Sequence, residues 1–262
     1  MRISIRHQMS MTPPVGTGHA VLQLLLTPQS GPGQTVESWS VDIAGIGNAG
    51  RFTDAFGNAA HLVNQSRPDG PLTVTVQGVV ETRDGNGVLG RVAGEPVPAL
   101  YTRVTGLTKA PAALYGKFRG SRESRLDLLH ALMARVGEAL GTAEQPAQMQ
   151  AHGAQSQSAG SALPPASDYA HGFVGACRAL DIPARYVTGY LAGAEDGLPA
   201  FHAWAEAHDD GLGWIGFDAR LQVCPTDRHV RLAAGLDASG TRPVRMVPAG
   251  DIAEVAVSVE VA

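Results

Sequence analysis

The chain has 262 residues, of which 44% are hydrophobic and 17% charged, and its formal net charge is −4. A chain of this length buries most of its surface on folding without disulfides or metal, and its composition is that of a globular protein, not a disordered one. A weakly acidic chain without a basic run argues against nucleic acid or a membrane surface as a partner.

The chain contains two cysteines, Cys177 and Cys224, which excludes a disulfide framework and a four-cysteine zinc site. Residues 1–7 lack the apolar core of a signal peptide, and no stretch approaches the ~18 apolar residues that span a bilayer. We therefore expect a cytoplasmic protein with reduced thiols and no cofactor. Its oligomeric state stays open.

The first hundred residues alternate between apolar and polar side chains in short segments. These segments are Ile3–His7, the apolar run Val21–Leu26, Trp39–Ile43 and Leu72–Val80. Clusters of Gly, Pro and Asn at 30–33, 57–58, 68–70 and 84–87 separate them. Short strands between such turns indicate an antiparallel β-sandwich, which we place at residues 1–100.

A helical period then replaces the alternation. Apolar residues from Leu126 to Leu140 recur at helical spacing, and Gly141 is placed to end that helix. Residues 142–165 are rich in Ala, Gln, Ser and Gly and have no apolar period, so we predict a mobile loop there.

A second helix is predicted from residue 166 to about residue 180, and three strands follow it. The strands are Ala184–Leu191, Phe201–His208 and Trp214–Asp218, and the tail Val255–Val261 alternates as a last strand. We predict an α+β fold in which the sandwich is followed, over residues 101–262, by helices packed on an antiparallel sheet.

Three segments in this second half are specific enough to suggest a family. They read Arg-Ala-Leu-Asp-Ile-Pro-Ala-Arg-Tyr-Val-Thr-Gly-Tyr from Arg178, His-Ala-Trp-Ala-Glu from His202 and Gly-Trp-Ile-Gly-Phe-Asp ending at Asp218. In this order and spacing they resemble the transglutaminase-like superfamily of papain-type cysteine enzymes. Residues 2–7, 26–35 and 52–58 also resemble the β-domain that precedes this core in a bacterial branch of the family.

The resemblance implies a catalytic triad. In the family a Cys at the first turn of the helix attacks a glutamine or peptide carbonyl, a His deprotonates it and an Asp orients the His. His202 and Asp218 match the base and the orienting acid. The family helix opens with Gly-x-Cys-x-Asp-x-Ala-His, and Asp168 and His171 match that register, which places Ala166 at the nucleophile position.

Other residues were weighed as substitutes for the missing thiol. Cys177 lies about 16 Å further along the same helix and on its apolar stripe, so we assign it to the core. Cys224 and Ser167 stay minor alternatives as nucleophiles. Asp168 and His171 are interpreted as hydrogen-bonding groups of the helix, and Trp204 as a core or pocket-wall residue. A metal site from His171, His202 and His208 lacks the His pair of zinc peptidases, and we expect no metal.

Two functions fit Ala166. The chain is either a natural pseudoenzyme that binds a peptide or protein amide, or a Cys→Ala inactivated form of a transglutaminase-like protease, amidase or acyltransferase. The flank Pro164-Pro165, which replaces the family's Gly-x, favours the pseudoenzyme. In either case the chain as written is expected to lack cysteine-type acyl transfer.

Overall fold

The structure is a computed structural model that describes residues 1–92, 94–121, 124–142, 145–146, 164–193 and 200–262. Most of the predicted mobile loop 142–165 lies outside the described residues. Among the described residues, no helix combines the length and the apolar character needed to cross a membrane.

The strands and helices follow one another in the order below. The strands are β1 (Arg2–Thr12), β2 (His19–Thr27), β3 (Gln34–Asp42), β4 (Gly50–Thr53), β5 (Ala59–Ser66), β6 (Leu72–Thr82), β7 (Val88–Gly90), β8 (Gly141–Thr142), β9 (Gln145–Pro146), β10 (Ala184–Leu191), β11 (Phe201–Asp209), β12 (Gly213–Phe217), β13 (His229–Gly235), β14 (Val244–Val247) and β15 (Asp251–Val261). The α-helices are α1 (Ala112–Tyr115), α2 (Arg125–Leu140) and α3 (Ala166–Arg178), and short 3-10 helices lie at Ile46–Asn48, Pro98–Thr102, Gly106–Thr108 and Gly116–Phe118.

Two antiparallel sheets form a sandwich. Their strand orders are β15-β1-β6-β3 and β14-β2-β5-β4. Alternate residues of both sheets, such as Ile5, Leu22, Leu24 and Val63, are fully or almost fully buried in one shared core. The predicted strand-rich N-terminal region is therefore confirmed, and the end of the chain, β14 and β15, returns to complete both sheets.

The third sheet has the order β13-β10-β11-β12-β7 and carries α2 and α3 on one face. Ala203, Ala205 and Ala207 of β11 lie in the same core cluster as α3, and these short side chains let the helix pack close to the sheet. The helix-on-sheet core and the α+β class predicted from the sequence are thus confirmed.

Local signals explain where α2 begins and ends. The Ser124 hydroxyl caps the first turn by accepting from the backbone N–H of Asp127 (3.2 Å). At the other end Gly141 has a φ of 99°, a conformation that favours glycine. The helix therefore ends at Leu140, as the position of Gly141 predicts.

Cys177 is expected to react slowly with alkylating reagents. Its side chain lies on the core side of α3 and is 0% exposed, and burial raises the pKa of its thiol. In a Cys224→Ala background, iodoacetamide should label Cys177 far more slowly in the native protein than in denaturant, as read by intact mass. In the matching Cys177→Ala variant, the same labelling measures the rate at the half-buried Cys224. Equal rates for native and denatured Cys177 would contradict this assignment.

Candidate active site

The length of α3 and the short turn into β10 indicate how far along the sheet the first residue of α3 lies. The helix reverses into β10 through a short turn, and the guanidinium of Arg178 at its end donates to the carbonyl of Ala184 at the start of β10. The helix is about 18 Å long at ~1.5 Å per residue, which corresponds to between five and six strand residues at ~3.3 Å each. That distance reaches Gly189, whose cross-strand partner is His202. If α3 runs along β10, this length places Ala166 near the end of the sheet that carries His202.

His202 and Asp218 form a buried hydrogen-bonded pair. The Nε2–H of His202 donates to Oδ2 of Asp218 (2.6 Å), and both residues are at most 2% exposed. This bond leaves Nδ1 of a neutral His202 as an acceptor, and among the described atoms Nδ1 is buried and has no hydrogen-bond partner. The pair thus has the orientation of a His–Asp base whose free nitrogen is Nδ1.

His229, which the sequence analysis missed, also contacts Asp218. Its Nε2 lies 3.2 Å from the same Oδ2, although it follows Asp218 by eleven residues along the chain. The backbone N–H groups of Arg220 and Leu221 donate to Oδ1 of Asp218 (3.1 Å each). Burial alone would raise the pKa of the Asp218 carboxyl, but the hydrogen bonds from His202 and His229 hold it well below its usual range.

His202, Asp218 and His229 bring three potential metal-ligating atoms within 4.8 Å of one another. The protonation of His229 nevertheless argues against a metal. Its Nδ1 accepts from the backbone N–H of Thr226 (3.1 Å), so the ring proton of the neutral residue is on Nε2. A metal-ligating His needs the opposite arrangement, with a lone pair toward the ion and a donor on the other nitrogen. These residues therefore fit a hydrogen-bonded cluster better than a metal centre.

Trp204 connects the His–Asp pair to a cavity. Its ring stacks on His202 (centroids 6.4 Å apart) and meets His229 edge-on (5.4 Å). Gly189 on the neighbouring strand makes this possible, because a Cβ there would lie 2.6 Å from the Trp204 ring. Trp204 is only 2% exposed and also lines this cavity.

The cavity has a volume of about 270 Å³ and lies on the sheet face opposite Ala203, Ala205 and Ala207. Trp204, Glu206, His229 and Arg231 line it from the core sheet. Segments of the N-terminal region at residues 29–34, 53–57 and 83–87 close the other side, together with Val88 and Leu89 of β7. A ligand in this cavity would therefore contact both parts of the fold.

An ion-pair network under the cavity joins β10, β11 and β13. Glu206 is 1% exposed and accepts from the Nε atoms of Arg185 and Arg231 (2.9 Å for Arg231). Nη1 of Arg185 also donates to Glu95 (2.9 Å), and its guanidinium lies 4.1 Å from the ring centroid of Trp214. Burial alone would raise the pKa of Glu206, but the two guanidiniums hold it below its usual value.

The remaining polar residues of α3 serve the helix packing. His171 stacks on Tyr186 (4.7 Å), and its Nε2 accepts from the backbone N–H of Ala238 (3.1 Å). Burial lowers the pKa of His171 to about 4, so its ring is neutral near pH 7. Asp168 is half-buried in the first turn, and burial raises its pKa. Neither has a described hydrogen bond to His202 or Asp218.

Neither cysteine has a described contact with the His202–Asp218 pair, and the same holds for His171 and His208, the two histidines weighed with His202 as metal ligands. Cys177 is buried on the core side of α3, and Cys224 packs against Gly87 at the turn into β7. His171 contacts Tyr186 on the helix side of the sheet, and His208 packs on Trp214 (5.2 Å). Neither ring has a described contact with His202. Ala166 is 4% exposed and belongs to the same core cluster as Ala203, the neighbour of His202 in β11.

Comparisons with known proteins found two family models and a curated relative. A family model described as the Transglutaminase-like superfamily matches residues 116–219, and one described as the Bacterial transglutaminase-like N-terminal region matches residues 3–81. An uncharacterized protein of Mycobacterium leprae (strain TN) is 24% identical over 245 residues, which cover 86% of this chain and 85% of the relative.

Two solved structures are similar to the chain. A candidate cysteine protease from Cytophaga hutchinsonii has a TM-score of 0.70 at 20% identity, over 99% of this chain and 89% of that one, and shares its fold. The periplasmic domain of TgpA from Pseudomonas aeruginosa, bound to ethylmercury, has a TM-score of 0.37 at 15% identity, over 83% of this chain and 90% of that domain. Over the core at residues 116–219, the chain is similar to the Transglutaminase-like superfamily.

Proposed function

We propose that this protein is a transglutaminase-like pseudoenzyme that binds a peptide or protein amide next to His202. The observation that supports the proposal is the first residue of α3. The motif resemblance assigns Ala166 to the position of the family's nucleophile, and the His202–Asp218 pair has a hydrogen bond of 2.6 Å. The preceding Pro164-Pro165, which differs from the family's Gly-x, favours a natural loss of the cysteine.

The chemistry that remains is binding. Without a thiol at position 166, no acyl-enzyme can form there, and His202 has no nucleophile to deprotonate. The lone pair on Nδ1 of His202 can still accept a hydrogen bond from an amide N–H. The cavity beside Trp204 offers an aromatic wall, and Glu206 and Arg231 also line it with polar groups. An amide-containing side chain or backbone segment suits such a mixture.

A glutaminyl peptide should bind without turnover. We expect calorimetry to show binding that weakens about tenfold or more in a His202→Ala variant, because the acceptor at Nδ1 is lost. His19, an exposed histidine on β2, supplies the control His19→Ala, which should bind normally. No ammonia release or transamidation sensitive to iodoacetamide is expected. Clear turnover that is lost on alkylation would refute the proposal and direct attention to Cys224.

The alternative is an inactivated form of an active enzyme. The intact, buried His202–Asp218 pair favours it, since a His base oriented by an Asp is what deprotonates a nucleophile in acyl transfer. Restoring a thiol at position 166 distinguishes the two functions, because only the inactivated enzyme would regain turnover from that single change.

A further inference from the structure

His229 is buried, belongs to none of the matched family motifs and contacts the carboxylate of the candidate pair. We propose that His229 is a positioning residue that holds the Asp218 carboxylate in place for His202. The inference deepens the proposed function and rests on it for the role of His202 and Asp218.

Four donors surround the Asp218 carboxylate. The backbone N–H groups of Arg220 and Leu221 hold Oδ1, and the two imidazoles of His202 and His229 share Oδ2. The two backbone N–H groups therefore hold only Oδ1 of the carboxylate in place. The second oxygen is directed at His202 and His229 together, so removing His229 leaves His202 as the sole side-chain donor to Oδ2 among the described atoms.

The orientation of His229 is itself specified. Nδ1 accepts from the backbone N–H of Thr226, which leaves the proton on Nε2 and directs it to Asp218. Trp204 packs edge-on against the ring at 5.4 Å and an angle of 81°. His229 therefore donates to Asp218 in its neutral form and needs no charge to do so.

The competing explanation is that His229 serves only the turn at 226–229. Its backbone N–H donates to the carbonyl of Thr226 (3.1 Å), and Nδ1 receives the Thr226 N–H in return. Both roles use the same ring, but through different nitrogens. This difference allows them to be separated by substitution.

Two substitutions of His229 each keep one of the two hydrogen bonds of its ring and remove the other. In His229→Asn the side-chain oxygen takes the place of Nδ1, so the turn is kept and the donor to Asp218 is lost. In His229→Gln the side-chain amide nitrogen takes the place of Nε2, so the donor to Asp218 is kept and the cap on the turn is lost. If His229 positions Asp218, His229→Asn should disturb the Asp218 carboxylate and His229→Gln should leave it nearly unchanged. If His229 serves only the turn, the two variants should have the reverse effects.

The measurement is the titration of the Asp218 carboxyl carbon by NMR in the folded native chain and both variants. We expect His229→Asn to raise the pKa of Asp218 by about one, because one hydrogen bond to the charged form is lost, and His229→Gln to leave it nearly unchanged. An unchanged pKa of Asp218 in His229→Asn, or an equal rise in both variants, would overturn the proposal.

A second measurement needs no variant, so it still decides if His229→Asn fails to fold. Long-range proton–nitrogen correlation spectra of the native chain should place the His229 proton on Nε2, and a proton on Nδ1 alone would refute the role. Neither measurement requires a peptide or a thiol. Their outcome is therefore independent of the glutaminyl-peptide binding that tests the proposed function.

Discussion

A cysteine introduced by Ala166→Cys is expected to ionise well below the ~8.5 of a free cysteine. The new thiol would begin α3, where no side chain caps the helix and the unpaired N–H groups favour an anion. His202 would accept its proton at Nδ1. For a thiol pKa near 6.5, the larger thiolate fraction at pH 6 outweighs its lower intrinsic nucleophilicity, and alkylation should accelerate on the order of fivefold to tenfold.

Two readouts are needed, because residue 166 is only 4% exposed and such burial restricts an alkylating reagent more than it restricts a proton. Ultraviolet absorbance of the thiolate reports ionisation directly, and iodoacetamide labelling reports access. The measurements are made in a background that lacks Cys177 and Cys224, and His202→Ala in that background is the control that should abolish the effect. A thiol that behaves like a free cysteine, with or without His202, would show that Ala166 is not opposite His202.

The same variant decides between the two functions. A reactive thiol without turnover on a glutaminyl peptide supports the pseudoenzyme, since Pro164-Pro165 would then leave the oxyanion without properly placed N–H donors. Turnover on the order of natural enzymes, around 1 s⁻¹ or faster, would instead support the inactivated enzyme.

Breaking the buried ion pair under the cavity is expected to cause the largest loss of stability. Replacing Arg185 with Met removes a fully buried guanidinium and leaves the buried Glu206 with Arg231 as its described partner. Removing one member of a buried pair costs about 3–5 kcal/mol, since it leaves an incompletely compensated charge. The free energy of unfolding in urea measures this loss.

Two controls define the cause. The double variant Arg185→Met, Glu206→Met removes both charges and leaves Arg231 near Glu95, so it should lose less stability than the two single variants added together. The exposed pair Arg135–Glu138 on α2 is the surface control, and Arg135→Met should cost less than about 1 kcal/mol. Additive losses in the double variant would mean that packing, and not charge, stabilises this region.

The pH dependence of the network follows from the direction of the Glu206 shift. Its pKa in the folded protein is lower than its usual value, so the stability it contributes is present above the unfolded pKa of about 4.3 and is lost as the pH falls toward the folded value. Acidification below about pH 4 should therefore destabilise the native chain more than the double variant.

Much of the core is determined by local sequence pattern. The strand predicted at Ala184–Leu191 agrees with β10, and the next two predicted strands agree with β11 and β12 within one or two residues. These segments are short apolar runs between clear turn signals, so neighbouring residues decide their conformation. The end of α2 before Gly141 could also be predicted from the sequence. The pairing of His202 with Asp218 could be predicted too, but only through a family motif of fixed order.

The tertiary structure decided what depends on residues far apart in the chain. His229 approaches Asp218 because β13 pairs with β10 across the sheet, and no spacing in the sequence predicts which strands become neighbours. The pairing of β14 and β15 with strands of the N-terminal sheets likewise joins residues far apart in the chain.

The buried charged network under the cavity could not be predicted from the sequence either. Arg185, Glu206 and Arg231 are ordinary strand residues in the sequence, and only the register of three strands converts them into a buried network. The sequence thus determined the elements and the motif residues of this protein, because local propensity and residue order specify them. Which side chains surround Asp218 and line the cavity was decided by long-range strand pairing, since burial and hydrogen bonding act only once distant strands have met.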